Sequence, residues 1–145
     1  KYLDVNLDGS LNLIEKFLPL IKKSKSGSII NIGSIYGFLA HDKNLYEGTK
    51  MITPIAYGIS KGALIQLTKL LASKLSPKIR VNCVSPGGIY RNQPKKFVKK
   101  YIRKTLLNRM GREEDVSNAI LFLSSELSYY ITGQNLIVDG GYSLT

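Results

Sequence analysis

Apolar residues recur at steps of three and four along several stretches of the chain, which predicts amphipathic helices. The first stretch is residues 3–23, in which Pro19 is expected to kink the helix or end it early. Residues 93–107, which are strongly basic, and residues 112–124 are also predicted to be helical, and acidic residues in the first turn of the latter complement the helix dipole. The clearest helix is residues 56–75, with one side formed by Ala63, Leu64, Leu67, Leu70, Leu71 and Leu75.

Short β-branched and apolar runs between these helices predict strands at residues 28–33, 79–84 and 135–138. Residues 37–54 show no steady period and contain Gly48 and Pro54, so we predict a loop there. Helices alternate with strands, which is typical of an α/β fold with a doubly wound parallel sheet. Three strands are few for such a sheet. We therefore expect residues 1–145 to be the C-terminal part of a single domain whose N-terminal βαβ half is absent.

Charge is the one unusual bulk property, with a net charge of +11 and a pI near 9.8. Lysines cluster at residues 22–25 and again at residues 95–104. Such a surface can bind nucleic acid, acidic lipid or an anionic substrate. Because no nucleic-acid motif accompanies the lysines, we favour solvated helix faces and predict no nucleic-acid partner.

Other classes of protein are disfavoured by what the sequence contains. The single cysteine, Cys83, permits no internal disulfide and favours a cytoplasmic location. The longest apolar runs have four or five residues, whereas a membrane helix needs roughly 20, so we predict no membrane partner. His41, the only histidine, has no companion in a ligand pattern, so no metal site is expected.

Six landmarks in the order of the chain resemble the short-chain dehydrogenase/reductase family over essentially all 145 residues. They include the Y-x-x-x-K motif Tyr57-Gly-Ile-Ser-Lys61, which by itself is a weak signal. The others are Val5-Asn6-Leu7, Gly27 to Ser34, Ile79 to Gly87, Arg109 to Val116 and Ile131 to Gly141. The resemblance implies a Rossmann-type fold and an NAD- or NADP-dependent oxidoreductase that interconverts an alcohol and a carbonyl. It also implies a homodimer or homotetramer, with parts of residues 3–23 and 57–75 at the interface.

The resemblance also implies roles for particular residues. Asn6, Ser34, Tyr57 and Lys61 match the catalytic residues of the family, with Asn6 expected to hold a water that links Lys61 to solvent. Residues 88–111 match the segment that binds substrate. The residues expected to hold the nicotinamide side of the cofactor are Tyr57, Lys61, Pro86, Gly87 and Ile89. No G-x-G occurs in the chain, so the Gly-rich turn for the cofactor's pyrophosphate is missing.

A second match to Y-x-x-x-K, Tyr46 to Lys50, competes with Tyr57 to Lys61. Tyr46 follows Ser34 by twelve residues, which is close to the usual spacing of the family, whereas Tyr57 follows it by twenty-three. However, Tyr57 begins a long apolar-faced helix, and Pro54 prevents a continuous helix after Tyr46. We therefore predict that Tyr57 is the catalytic tyrosine and that an insertion separates it from Ser34.

Elementary chemistry agrees with these roles. Transfer of a hydride to or from a carbonyl requires that a proton be delivered to, or removed from, its oxygen, and free tyrosine is a poor base at neutral pH. Lys61 lies one helical turn after Tyr57 on the same face, so its positive charge would favour the phenolate. Ser34 is predicted at the carboxyl end of a strand, where ligands bind in open α/β sheets, and would orient the substrate oxygen.

The insertion gives the clue to the substrate. Its residues 44–54, together with residues 86–94, resemble a bacterial subgroup linked to surface-sugar and flagellin-glycan synthesis, which implies a nucleotide-linked or sialic-acid-like sugar. Such an anionic small molecule would explain the lysines of residues 95–104. The candidate substrate-binding residues are Tyr46, Arg91, Lys95 and Lys96. Two alternatives remain open: a generic reductase, such as one for 3-oxoacyl chains, and a truncated, non-catalytic basic scaffold protein.

Overall fold

Three parallel strands form the centre of the protein, and the computed structural model describes all 145 residues, Lys1–Thr145. The strands lie in the order β1-β2-β3, where β1 is Gly27–Ile32, β2 is Ile79–Pro86 and β3 is Asn135–Val138. Gly27 pairs with Ile79 at one end of the first ladder, and Ile32 pairs with Val84 at the other. All three strands therefore end at one edge of the sheet, as predicted.

The chain contains five α-helices, and three of them pack against the sheet. They are α1 (Gly9–Ile21), α2 (Lys43–Tyr46), α3 (Ile55–Leu75), α4 (Lys95–Lys104) and α5 (Glu113–Ser124). A π-helical turn, Asp4–Asp8, leads directly into α1. Single 3₁₀ turns are present at Ile35–Gly37, Glu126–Ser128 and Tyr142–Leu144. None of the helices combines the length and the apolar character needed to cross a membrane.

Neighbouring residues of the strands point to opposite faces of the sheet, and each face is covered by helix. Ile29 and Val81 are buried in an apolar cluster with residues of α1 and α3. Ser28 and Arg80 point the other way, and both donate hydrogen bonds to the carbonyl oxygen of Leu123 in α5, at 3.2 and 2.8 Å. The predicted α/β class, a parallel sheet with helices on both faces, is confirmed.

The buried side of α3 agrees in part with the predicted apolar side. Of the predicted positions, Leu64 and Leu75 are buried, whereas Leu70 is 60% exposed. The helix also buries polar side chains, and Thr68 Oγ1 accepts a hydrogen bond of 2.9 Å from Asn31 Nδ2 in β1. A buried amide needs such a partner, so Thr68 satisfies Asn31 in the core.

Two further expectations from the sequence are corrected. The region 37–54, predicted to be a loop, contains α2, a single helical turn whose first free backbone N–H group, that of Asn44, donates to the Asp42 carboxylate at 2.9 Å. The first helix was predicted to reach residue 23 but ends at Ile21, two residues after Pro19. Because Pro19 has no backbone N–H group to donate, an early end of the helix is expected.

Candidate active site

A pocket of about 420 Å³ opens at the carboxyl ends of β1 and β2. Ser34, two residues after β1, lines it together with Tyr57 of α3 and Gly87, which follows β2. This edge is where an open α/β sheet binds its ligands. The structure thus brings together three of the residues that the sequence singled out.

Ser34 is held in place by the close packing of the strands behind it. Gly33 donates from its backbone N–H to the carbonyl oxygen of Val84 at 2.8 Å. A Cβ atom on Gly33 would lie 2.5 Å from Ser85 Oγ and 2.8 Å from Cys83 Sγ, so only glycine fits there. Ser34 itself is 7% exposed, and its Oγ accepts a hydrogen bond from the backbone N–H of Tyr36 at 3.2 Å.

Tyr57 and Lys61 lie one turn apart near the start of α3. Lys61 Nζ is 5.8 Å from the centre of the Tyr57 ring, and it donates a hydrogen bond of 2.7 Å to the carbonyl oxygen of Ile32. Burial lowers the pKa of the Lys61 ammonium from its usual value. The Lys61 ammonium therefore lies near the face of the Tyr57 ring.

Asn6 contacts α3 at Ser60 rather than at Lys61. Its Nδ2 donates to Ser60 Oγ at 3.0 Å, and that hydroxyl donates to the backbone carbonyl oxygen of Tyr57 at 2.7 Å. Asn6 and Lys61 also line a common apolar groove of about 480 Å³ beside β1. The side chain of Asn6 therefore helps to hold the turn of α3 that carries Tyr57.

The loop after β2 has a free backbone donor. Gly87 donates its N–H to the carbonyl oxygen of Val138 at 2.9 Å, and the carbonyl oxygen of Ile89 accepts from Gln93 Nε2 at 2.7 Å. The N–H of Ile89, however, has no partner within the protein. A free backbone N–H in a loop that also borders the pocket fits the carboxamide of a nicotinamide, which offers an acceptor oxygen. The residues of this loop are thus compatible with the cofactor that the sequence predicts.

Tyr46, in the competing motif, is the last residue of α2 and points into the same pocket as Tyr57. Its hydroxyl forms hydrogen bonds with those of Tyr36, at 2.6 Å, and Thr53, at 2.8 Å. Lys50 lies beyond the end of α2 and is exposed, so no helical turn joins it to Tyr46. Sequence reasoning missed Tyr36 and Thr53, although the position of Tyr36 only two residues after Ser34 was a usable signal.

The basic residues near the pocket have different surroundings. Arg91 pairs with Glu113, and both side chains are mostly exposed. Lys96 Nζ packs directly against Gly48 of the insertion, where a Cβ atom would collide with it. Lys95 lies on the outer face of α4 and lines a groove of about 450 Å³ with Lys99 and Arg103.

The remaining lysines of α4 are bound to the insertion. Lys104 Nζ forms an ion pair of 2.6 Å with the Asp42 carboxylate. Lys100 Nζ donates to the carbonyl oxygen of Asn44 and lies 3.3 Å from the Glu47 carboxylate. Lys100 and Lys104 therefore already bind groups of the protein. The three cations of the outer groove, Lys95, Lys99 and Arg103, form no ion pair.

Comparison with known proteins gives matches over nearly the whole chain. Residues 1–143 match a family model described as enoyl-(acyl carrier protein) reductase. The chain is 36% identical to post-translational flagellin modification protein A of Campylobacter coli, over 98% of this chain and 56% of that protein. It is also 36% identical to a 3-oxoacyl-(acyl-carrier-protein) reductase of Aquifex aeolicus, over 96% of this chain and 54% of the relative.

Two solved structures are also similar to this chain. A short-chain dehydrogenase of Leptospira borgpetersenii with bound NAD⁺ is 44% identical with a TM-score of 0.87, over 97% of this chain and 54% of that one. A gluconate 5-dehydrogenase of Burkholderia cenocepacia, in complex with NADP and tartrate, is 28% identical with a TM-score of 0.85, over 99% and 55% of the two chains. The chain thus spans about half the length of the relatives it matches.

Proposed function

This chain belongs to the short-chain dehydrogenase/reductase family, and we propose that its protein is an oxidoreductase that interconverts an alcohol and a carbonyl with NAD or NADP. The observation that carries this proposal is the common pocket of Ser34 and Tyr57, with the Lys61 ammonium one helical turn from the tyrosine. This arrangement places a proton donor or acceptor and an orienting hydroxyl on one small cavity, with a cation beside the tyrosine.

In the direction of oxidation, the Tyr57 oxygen takes the hydroxyl proton of the alcohol. Ser34 Oγ donates a hydrogen bond to the same substrate oxygen and orients it. A bound NAD or NADP would supply the acceptor for the hydride that leaves the carbon. Lys61, one helical turn after Tyr57, would assist this proton transfer, as the resemblance to the family implies. In the direction of reduction the same proton returns from Tyr57 to the carbonyl oxygen.

Five residues would hold the nicotinamide side of the cofactor. Tyr57 and Lys61 border it from α3, and Pro86, Gly87 and Ile89 border it from the loop after β2. The unpaired N–H of Ile89 supports this assignment, because it can donate to the carboxamide. Asn6 supports the site through Ser60, and we retain the proposal that it holds a water beside Lys61, since both line the same groove.

For the substrate we propose an anionic sugar, either nucleotide-linked or sialic-acid-like. The likeness to a flagellin modification protein supports this class. So does the outer groove of α4, in which Lys95, Lys99 and Arg103 form no ion pair within the protein. Arg91 and Lys96 lie near this groove and the pocket, and Tyr46 lines the pocket itself. The likeness to a 3-oxoacyl reductase supports the alternative of an acyl-chain substrate.

A matched pair of variants tests the sugar assignment in the complete protein. Replacing Lys95, Lys99 and Arg103 by alanine should raise the KM for a nucleotide sugar such as UDP-N-acetylglucosamine about tenfold, which corresponds to about 1.4 kcal/mol of lost binding. Replacing Lys22, Lys23 and Lys25 by alanine removes the same charge elsewhere and should leave the KM unchanged. An equal KM in both triple variants would contradict the assignment.

The wider proposal is tested by turnover itself. The complete protein should oxidise or reduce at least one member of a panel of nucleotide sugars, free sugars and 3-oxoacyl thioesters with NAD or NADP. No change of the cofactor with any of them would contradict the proposed activity, and binding of DNA with steep salt dependence would then favour the scaffold alternative.

We also propose a homodimer or homotetramer that forms through α1 and α3. Leu20 of α1 and Ile59 and Leu70 of α3 each expose more than half of their surface. Exposed apolar side chains grouped on two long helices are typical of a subunit interface. Light scattering of the complete protein measures the assembly directly, and a monomer would contradict this proposal.

A further inference from the structure

Three side-chain hydroxyls form a chain along one wall of the active-site pocket. The Tyr36 and Tyr46 hydroxyls lie 2.6 Å apart, and the Tyr46 and Thr53 hydroxyls lie 2.8 Å apart. All three residues line the pocket that also contains Ser34 and Tyr57. The residues that carry these hydroxyls therefore border the space in which a substrate would react.

The three hydroxyls together have one proton more than their internal hydrogen bonds use, so they can bind a further polar group. Each hydroxyl has one proton to donate, and each can also accept. Two protons are used in the two internal hydrogen bonds, so one proton remains for donation, either at an end of this row of hydroxyls or on Tyr46. Burial, followed by the hydrogen bond with Tyr46, raises the pKa of Tyr36 above its usual value, which keeps that phenol neutral.

The chain of hydroxyls is fixed in position by the packing of the insertion on α4. The Tyr46 ring packs on Phe97, with ring centres 5.6 Å apart, and Leu45 beside it is buried in the same apolar cluster. The ion pair between Lys104 and Asp42 closes the other end of this contact. A polar group held by such contacts does not have to be ordered again when a ligand binds, which favours affinity.

We propose that the hydroxyls of Tyr36, Tyr46 and Thr53 form a subsite that binds a hydroxyl group of the substrate close to the reacting carbon. The subsite selects hydroxylated substrates, such as sugars and other polyols, over substrates with plain hydrocarbon at that position. This inference rests on the proposed oxidoreductase function and assigns the specificity of its pocket. A hydrocarbon at that position would leave the remaining hydroxyl proton without an acceptor. An unpaired polar group of this kind is how such sites reject apolar analogues.

The test compares two simple alcohols that differ in one hydroxyl group, cyclohexanol and a vicinal cyclohexanediol. With the complete protein and saturating cofactor, the kcat/KM for the diol should exceed that for cyclohexanol at least about tenfold. Tyr46→Phe, which keeps the ring on Phe97, and Thr53→Val should each bring this ratio close to one. Tyr130→Phe, at a fully exposed position, should leave the ratio unchanged. The same preference in wild type and in both pocket variants would overturn the inference.

A second measurement does not depend on turnover. Saturation-transfer NMR should detect binding of the diol to the wild-type protein, and Tyr46→Phe should reduce it to the level of cyclohexanol. Binding of both alcohols to the same extent by the wild type would overturn the inference, even if the protein is active. If the diol binds selectively but no alcohol or carbonyl is turned over, the proposed oxidoreductase function fails and the subsite stands.

Discussion

Lys61 Nζ donates a hydrogen bond of 2.7 Å to the backbone carbonyl oxygen of Ile32, the last residue of β1. This contact fixes the ammonium at the carboxyl edge of the sheet, next to the strand end that leads to Ser34. An ammonium has three protons, so two donors remain for other groups. The same contact therefore sets the distance between the cation and Tyr57 and leaves the cation able to bind a ligand.

The guanidinium of Arg80 should contribute measurably to stability. It donates to the carbonyl oxygens of Leu123 and Ser125 and to the hydroxyl of Ser128, at 2.8 to 3.1 Å, and so ties β2 to the end of α5. We expect Arg80→Met to lower the free energy of unfolding by about 1.5–3 kcal/mol, as for hydrogen bonds of charged groups. Urea unfolding measures this, and Lys78→Met, at an exposed neighbour, should change it by less than about 0.5 kcal/mol. Equal effects of the two substitutions would contradict this role.

Gly88 should not tolerate a side chain. A Cβ atom there would lie 2.7 Å from the Tyr101 ring and 3.1 Å from Met110 Cε, and the backbone N–H of Gly88 donates to the Tyr101 hydroxyl. We expect Gly88→Ala to destabilise the protein by about 1–3 kcal/mol, because a packed ring must move. Gly9→Ala, where the nearest atom would be the Asp4 carbonyl oxygen at 3.4 Å, serves as the control in thermal unfolding. It should be neutral or stabilise the helix by up to about 1 kcal/mol.

The ion pair of Asp42 should make stability depend on pH. The hydrogen bond from Lys104, followed by that from the backbone N–H of Asn44, lowers the pKa of the Asp42 carboxyl below its usual value of 3.8. Its contribution is thus fully present above the pKa of the unfolded chain, near 4, and is lost as the pH falls through the lowered value. We expect Asp42→Asn to cost about 0.2–1 kcal/mol at neutral pH, with no difference from wild type in strong acid.

Denaturant unfolding at several pH values measures this difference. The matched control is Glu15→Gln, at an exposed position without an ion pair. Its effect should not depend on pH in this way. A cost of Asp42→Asn that stays constant into strong acid would contradict the ion pair as its origin. Added salt should reduce the cost at neutral pH, since the pair is partly exposed.

The sequence predicts the order and type of the main elements because their periods are long enough to recognise. It fails for α2, since a helix of four residues has no period of its own, and it does not show that polar side chains of α3 lie in the core. Thr68 is buried there, where it accepts a hydrogen bond from Asn31. Such a pairing joins residues that are 37 positions apart, and no local pattern shows it.

The sequence likewise predicts only part of the candidate site. Ser34, Tyr57 and Gly87 meet in one pocket, as the order of the motifs predicts. The hydroxyl chain was not predicted, because it depends on how the insertion folds back on α4. The roles of the lysines of α4 were also not separable by sequence, since only the structure distinguishes Lys100 and Lys104, which bind the insertion, from Lys95 and Lys99.

The central claim is that Tyr57 performs the proton transfer with the help of Lys61, and that the competing pair Tyr46 and Lys50 does not. Lys61→Met and Lys50→Met make the same chemical change in the two motifs and differ only in position. The measurement is kcat of the complete protein for its best substrate, with thermal unfolding to confirm that each variant is folded. Tyr57→Phe is measured beside them, because it removes the hydroxyl and keeps the ring.

We predict that Tyr57→Phe and Lys61→Met each lower kcat by about 10²–10⁴-fold, the usual contribution of general acid–base catalysis, while Lys50→Met leaves kcat unchanged. A folded Lys61→Met variant with wild-type kcat, together with a large loss in Lys50→Met, would contradict the assignment of the catalytic pair.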